Sequence, residues 1–366
     1  MNVSYHTYWR KLASGGRAEF IDKFLLLFLA PLAWLYSLAL RLRAWLYLSG
    51  IFKTHRLPRP VVSIGNITVG GTGKTPVTAY IARFLLAQGY RVAVLSRGYG
   101  GSLEGQTCVV SDGVTVMQSA RECGDEPFLL ASTVPGLMVV IGTDRYAAGQ
   151  LAIEQLSPDI FLLDDGFQHL RLGRDLNILL LDFSKPFGNG LTLPAGILRE
   201  PVSAARRADL VIITRAPGGA AISLYTGAVP RCISSHTIVD LLPLNGFTPV
   251  SFSNCLGRKV LAFAGIADPE SFFAGLRAEG MNLVHRLNFP DHVVYNKERL
   301  NEIAEAMRTS GADILVTTEK DGVKLKGLTL SQEFASHVLL ARLELTIDNP
   351  VQLKNMLIDL LQRHEA

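Results

Sequence analysis

Thr68-Val69-Gly70-Gly71-Thr72-Gly73-Lys74-Thr75 closes a glycine-rich run on a lysine and a hydroxyl, the pairing that grips a nucleoside triphosphate. Glycines let successive main-chain N–H groups turn toward one anion, and a helix starting there adds the positive end of its dipole. Lys74 then reaches the β- and γ-phosphates of ATP, and the Thr75 hydroxyl is a ligand for Mg²⁺. Thr68 stands where the pattern has its first glycine. A bare glycine-rich turn is the plain alternative, and the flanks argue against it. Val61, Val62, Ser63 and Ile64 precede the loop as a short buried strand. Val77, Tyr80, Ile81, Phe84 and Leu85 follow at the spacing of one helical stripe, with Pro76 suited to the first turn.

A phosphate loop needs acidic groups beside it. Ile160-Phe161-Leu162-Leu163-Asp164-Asp165 is an apolar strand ending in two carboxylates, which parallel topology puts at the loop's edge of the sheet. Transfer to an alcohol also benefits from a base. Gly124-Asp125-Glu126-Pro127 and Phe289-Pro290-Asp291-His292 offer carboxylates and an imidazole. On pattern alone, helix capping is the simpler role for Asp125 and Glu126, and a turn for Asp291-His292. Arg97, in Ser96-Arg97-Gly98-Tyr99-Gly100-Gly101, either clamps an acidic substrate group or is simply solvated. Gln168, His169 and Arg171 follow the acidic pair. A further glycine-rich loop carries Asn189, then Arg199 and Glu200, whose plain reading is an exposed ion pair.

Positioning these groups takes a scaffold that gathers strand ends. Apolar runs at 60–64, 91–96, 137–141, 160–164, 177–181 and 210–214 alternate with helical stripes, clearest over 76–88 and 145–156. The pattern predicts two α/β domains with mostly parallel sheets. A P-loop NTPase-like domain covers 51–231, and a smaller C-terminal α/β domain covers 257–366. The latter has strands at 260–264, 282–288 and 314–318 and helices at 269–279, 296–309 and 350–363. Residues 232–256 carry no helical stripe and read as an extended linker, and residues 1–50 as a membrane-anchoring helix region.

At 366 residues the chain is longer than one core usually organises. A net charge of +4 gives no argument for a nucleic-acid partner. Cys108, Cys123, Cys232 and Cys255 lack the spacing of a zinc site and suggest reduced, mostly buried thiols. The apolar excess is local. Residues 24–40 carry no charge, a helix of roughly 26 Å, slightly short of the roughly 30 Å hydrocarbon core. Pro31 predicts a kink, and Trp34, Tyr36, Trp45 and Tyr47 favour an interface. Arg10, Lys11 and Arg17 lie before the stretch; Arg41, Arg43, Lys53, Arg56 and Arg59 follow it. Membrane association is expected, peripheral, monotopic or through a single helix, with a buried core helix as the alternative.

Val-Gly-Gly-Thr-Gly-Lys-Thr-Pro, Ser-Arg-Gly-Tyr-Gly-Gly, Gly-Asp-Glu-Pro, Asp-Asp-Gly-Phe-Gln-His, Phe-Gly-Asn-Gly, Leu-Pro-Ala-Gly…Leu-Arg-Glu and Thr-Glu-Lys-Asp (318–321) occur in that order. The ordered set resembles the tetraacyldisaccharide 4′-kinases, the lipid A kinases of Gram-negative bacteria, from the apolar helix to about Leu325. The resemblance implies transfer of the ATP γ-phosphate to the 4′-hydroxyl of a tetraacyldisaccharide 1-phosphate lipid, giving lipid IVA, at the cytoplasmic face of the inner membrane. It implies Asp125 as base, paired with His292, and Glu126, Asp164 and Asp165 as the groups that serve Mg²⁺ beside Thr75. Lys74 completes the catalytic candidates. Arg97, Arg145, Arg171 and Arg199 are candidates for the 1-phosphate or the transferring phosphoryl group, with Gln168, His169 and Asn189 as further substrate contacts.

Another class shares the loop, a membrane-associated P-loop ATPase or GTPase switch. Deviant-loop ATPases of that kind carry a second lysine that Thr68-Val69 lacks, and Thr318-Glu319-Lys320-Asp321 has its lysine one place late for guanine reading. A non-enzymatic membrane scaffold leaves the acidic strand end unexplained.

Overall fold

The computed structural model describes residues 20–216 and 229–365, together with Ala13. Arg10, Lys11 and Arg17 lie outside the described residues. The strands are β1 (Val61–Gly65), β2 (Val92–Ser96), β3 (Cys108–Asp112), β4 (Met138–Ile141), β5 (Ile160–Asp164), β6 (Leu176–Asp182), β7 (Leu210–Thr214), β8 (Arg231–Pro243), β9 (Lys259–Ala264), β10 (Asn282–Asn288), β11 (Ile314–Thr318) and β12 (Val338–Asp348). The described α-helices are α1 (Phe20–Leu48), α2 (Lys74–Ala87), α3 (Ala120–Cys123), α4 (Asp125–Thr133), α5 (Arg145–Leu156), α6 (Pro269–Ala278), α7 (Lys297–Ser310), α8 (Glu319–Lys326), α9 (Gln332–His337) and α10 (Val351–Glu365). Each strand expected from an apolar run is present. Strands β3, β8 and β12 and helices α3, α8 and α9 are additional. Strand β8 occupies the start of the stretch read as a linker; it alternates buried Cys232 and Ser234 with more exposed neighbours, so polar residues mask its period of two.

The chain groups into two compact units, neither continuous in sequence. The first holds the described residues up to Thr78, then Pro158–Ser235 and the residues from Ile347 onward. Its strands β5, β1, β6, β7 and the start of β8 pair in parallel in that spatial order. Strands β1, β5 and β7 are mostly apolar and buried at every position, on both faces, rather than alternating. Ile67, Phe167, Leu179, Leu181, Val211 and Ile213 form part of the core beneath. Ile64 pairs with Asp164, so the loop leaving β1 and the acids ending β5 emerge at the same edge.

Helix α1 also belongs to this unit and continues through Pro31 for 29 residues. Phe24–Leu48, about 37 Å of helix, is long and apolar enough to cross a membrane. It is no core helix. One face is docked: the Thr192 hydroxyl donates to the Ala33 carbonyl at 2.7 Å, Ser37 meets Thr192 at 3.1 Å, and Arg43 donates to the Gln168 carbonyl at 3.3 Å. The opposite face, with Phe28, Leu35 and Leu42, is exposed.

The second unit holds Ala79–Ser157 and His236–Thr346. In it β2 and β4 run parallel, with β3 antiparallel to β4. Strands β10, β9, β11 and β12 pair in parallel, with Phe263, Leu315, Val338 and Leu340 among the buried residues of one face. Side-chain caps start the helices: Asp144 accepts from Tyr146 N and Ala147 N, Asn296 from Arg299 N, and Thr318 from Asp321 N. Helix α4 packs against α8 within this unit.

Candidate active site

The phosphate loop is built by what holds its carbonyls. Thr214 Oγ1 donates to the Thr72 carbonyl at 2.9 Å, and the Arg215 guanidinium donates to the Gly71 carbonyl and to Asp182. In trans peptides the N–H opposes the C=O. The amides of Thr72 and Gly73 are therefore turned the other way, as an anion requires. Gly70 and Gly73 have φ of +113° and +76°, backbone that favours glycine. Thr68 needs no such freedom. It bridges Leu198 in strand fashion and accepts a 3.3 Å bond from Asn66 Nδ2, which accounts for a side chain where the pattern has glycine.

Lys74 opens α2 with Nζ 3.8 Å from Asp165 Oδ1, and Arg199 Nη1 lies 2.8 Å from Asp165 Oδ2. Buried Asp164 accepts from Thr78 Oγ1 at 3.3 Å. Two cations thus neutralise an acid that follows the β5 strand end. Among the described residues no group of three His, Cys, Asp or Glu gathers to hold a metal. This donor set fits Mg²⁺, which takes one or two carboxylates and otherwise phosphate oxygens and water. Thr75, Asp164 and Asp165 would hold it.

A second cluster lies in the other unit. His292 Nδ1 is 3.3 Å from Asp125 Oδ2, although 167 residues separate them. Asp125 does not cap its helix: the N-cap is Gly124 and no side chain caps it. The carboxylate instead stands at the helix N-terminus, where the dipole favours negative charge. Gly124, at φ +90°, lets the Tyr99 carbonyl approach to 2.7 Å of where a Cβ would stand, so the Arg97–Gly101 turn packs directly on the start of α4. His292 has φ +58° and packs edge-on against Tyr99 at 5.7 Å.

Helix α8 supplies two lysines that sequence patterning missed. Lys324 Nζ lies 3.3 Å from Asp125 Oδ2 and 3.4 Å from Asp321 Oδ1. Fully buried Asp321 is itself fixed by Gly265 N at 2.9 Å and Thr318 Oγ1 at 2.8 Å. Lys320 Nζ lies 3.4 Å from Glu126 Oε1 and 3.5 Å from Asp291 Oδ1. Burial alone would raise the Asp125 pKa; the His292 hydrogen bond and the Lys324 and Lys320 ammoniums outweigh it and hold the carboxyl below its ordinary value. Asp125 is ionised. The Thr-Glu-Lys-Asp run was the available signal, since its lysine and aspartate both enter this network.

The other expected residues divide. Glu126, read as serving the metal, is paired with Lys320 in the second unit, whereas Thr75, Asp164 and Asp165 belong to the first. Arg199 and Glu200 do not pair with each other: Arg199 takes Asp165 and Gln168 Oε1, and buried Glu200 takes Arg207. Gln168 Nε2 also donates to the Asn66 carbonyl, at 3.1 Å, and so ties the acidic loop to the start of the phosphate loop. His169 N donates to the Gly166 carbonyl, and Arg171 is exposed. Asn189 braces its own loop through the Ala195 carbonyl and Leu191 N. Exposed Arg97 pairs with Glu104 at 3.2 Å. Arg145 is buried and donates to the Gly142 carbonyl at 2.6 Å.

Strand, phosphate loop, helix and acidic strand end define a P-loop enzyme, and an ionised carboxylate under an imidazole is equipment for moving a proton. The family model described as tetraacyldisaccharide-1-P 4′-kinase matches residues 25–362. The tetraacyldisaccharide 4′-kinase of Pelobacter propionicus is 61% identical over 363 residues, covering 99% of this chain and 100% of the relative. That of Geobacter metallireducens is 55% identical, covering 91% and 98%. The solved structure of LpxK from Aquifex aeolicus, described as an "apo" form in complex with ATP, aligns with a TM-score of 0.77 at 35% identity, over 92% of this chain and 99% of that one. The chain belongs to the tetraacyldisaccharide 4′-kinase family. The match runs past Leu325, where the motif resemblance stopped, and takes in β12 and most of α10.

Proposed function

We propose that the protein transfers the γ-phosphate of ATP to the 4′-hydroxyl of a tetraacyldisaccharide 1-phosphate lipid, giving lipid IVA. The observation that carries this over a nucleotide switch is the Asp125 carboxylate, kept ionised by His292 and Lys324. A switch ATPase has no acceptor alcohol to deprotonate. On this reading the amides of the 68–75 loop grip the triphosphate, and Lys74 trades Asp165 for phosphate oxygens. Mg²⁺ supplies charge neutralisation of the phosphates. The acceptor O4′ forms its bond to phosphorus as the bond to the β-phosphate oxygen breaks, and the O4′ proton passes to Asp125. Arg97, Arg171 and Arg199 are the charged groups proposed for the 1-phosphate or the transferring phosphoryl group. Residues 51–231 carry the nucleotide work, 232–256 join the parts, and 257–366 contribute His292. With labelled ATP, Mg²⁺ and detergent-dispersed disaccharide lipid, label is expected on the lipid. Release of inorganic phosphate with none on the lipid would favour the switch.

The lipid acceptor explains α1. A helix clasped along Ala33, Ser37 and Arg43 and apolar on its other face suits an element lying in the cytoplasmic leaflet. Phe28, Leu35 and Leu42 share that exposed face at spacings of seven. Replacing all three by Ser is expected to lower partitioning onto phospholipid vesicles by at least about tenfold, since each removes a large apolar side chain from the interface. Undiminished partitioning in a sedimentation assay would sink the in-plane anchor.

A further inference from the structure

Helix α1 is tied to two loops, and both of them hold the phosphate loop. The first carries buried Thr192, whose hydroxyl donates to the Ala33 carbonyl at 2.7 Å. Further along, this loop pairs with the start of the phosphate loop. Val69 N donates to the Ile197 carbonyl and Arg199 N to the Ile67 carbonyl, each at 2.7 Å. The second is the turn after the acidic pair. Arg43 reaches the Gln168 carbonyl with both terminal nitrogens, at 3.4 and 3.3 Å. Just past α1, Thr54 Oγ1 donates to the Leu170 carbonyl at 3.4 Å and His55 N to the Arg171 carbonyl at 2.8 Å.

That turn sets the acid of the nucleotide site. Asp165 has φ of +54°, a region that residues other than glycine keep only when their surroundings impose it. Gly166 N donates to the Ile64 carbonyl at 3.0 Å, and a Cβ on Gly166 would stand 2.5 Å from Leu163 Cβ, so the backbone has one tight path. Gln168 then spans the site. Its Oε1 accepts from Arg199 Nη1 at 3.2 Å, and its Nε2 donates to the Asn66 carbonyl at 3.1 Å. Arg43 grips the main chain of the same residue from the helix side.

We propose that α1 braces the nucleotide site as well as anchoring the protein, with Arg43 as its positioning residue. By fixing the Gln168 carbonyl, Arg43 sets the side chain that keeps Arg199 beside Asp165. ATP is then held well only while α1 is seated. This coupling rests on the reading of 68–75 as the ATP grip, and needs no lipid acceptor to be observed.

The test is MgATP binding to the full chain in detergent, measured by titration calorimetry without lipid acceptor. Arg43→Met keeps an apolar stem and good helix propensity but has no donor. It is expected to weaken binding by at least about tenfold, the scale of one charge-assisted hydrogen bond. Arg43→Lys, which keeps a charged donor, should recover to within about threefold of wild type. In a Gln168→Ala background, Arg43→Met should cost less than about threefold more, because the side chain it positions has gone. A merely structural effect would carry into that background undiminished. Thr192→Val cuts the other tie and should weaken binding by at least about threefold, the scale of one neutral hydrogen bond. It decides the matter if Arg43→Met does not fold. Wild-type affinity in folded Arg43→Met overturns the proposal, as does an undiminished cost beside Gln168→Ala. A wild type that binds no MgATP overturns both this proposal and the reading of the loop. The expected losses of affinity with no label on lipid would support the brace and overturn the transfer reading instead.

Discussion

Asp125→Asn should lower kcat for lipid phosphorylation by at least about 10²-fold, the range measured for loss of a positioned base. The amide keeps the shape of the carboxylate, so the packing of α4 against α8 survives. What it loses is the capacity to take the O4′ proton and the charge that answers Lys324. The KM for ATP should stay within about threefold, because the phosphate loop makes no use of Asp125; a split of this kind marks an interaction expressed in the transition state. The pH dependence follows from the depressed Asp125 pKa. A carboxyl held below its unfolded value of about 3.9 contributes stability above that pH and loses it as pH falls through the folded value. Asp125 is thus already deprotonated throughout the neutral range, and an acid limb of activity near pH 6 would belong to another group. Steady-state transfer to detergent-dispersed lipid measures all of this. Turnover of Asp125→Asn within a few fold of wild type would return the residue to a purely structural part.

The two clusters differ in how legible they were. The phosphate loop and the acidic strand end are each written in one short stretch, and parallel pairing of β1 with β5 follows from the α/β pattern, so Lys74 and Asp165 could be placed together from sequence. Asp125 and His292 could not, because their meeting depends on how α4 and the loop after β10 fold around α8. Lys320 and Lys324 were invisible for a related reason: lysines on a short charged helix read as a solvated face until the helix is seen packed on α4. Arg199 and Glu200 misled by adjacency. They lie in a bend after Leu198, and each found a different partner, Arg199 taking Asp165 and Glu200 taking Arg207. The apolar 24–40 run was correct in kind and short in length, since the helix runs on past Arg41 and Arg43, and Arg43 is spent on the Gln168 carbonyl.

Lys74→Ala should lower kcat/KM for ATP by at least about 10²-fold, as expected when a cation aimed at transferring phosphate is removed. The substitution is gentle on the fold. Alanine is the best helix former, and position 74 opens α2 rather than lying within it. Its electrostatic effect is larger than one lost contact. Lys74 and Arg199 share Asp165, so without Lys74 the carboxylate has less positive charge beside it and repels an incoming phosphate more strongly. Lys74→Arg is not expected to restore full activity, since a planar fork cannot reproduce a compact ammonium at the start of a helix. Measuring ATP binding beside turnover separates the two roles. A loss confined to KM would mean that Lys74 only holds ATP, while a fall in kcat means that it also stabilises charge as the phosphoryl group leaves. Turnover within a few fold of wild type would remove Lys74 from the phosphate site, and with it the reading of the 68–75 loop as the nucleotide grip.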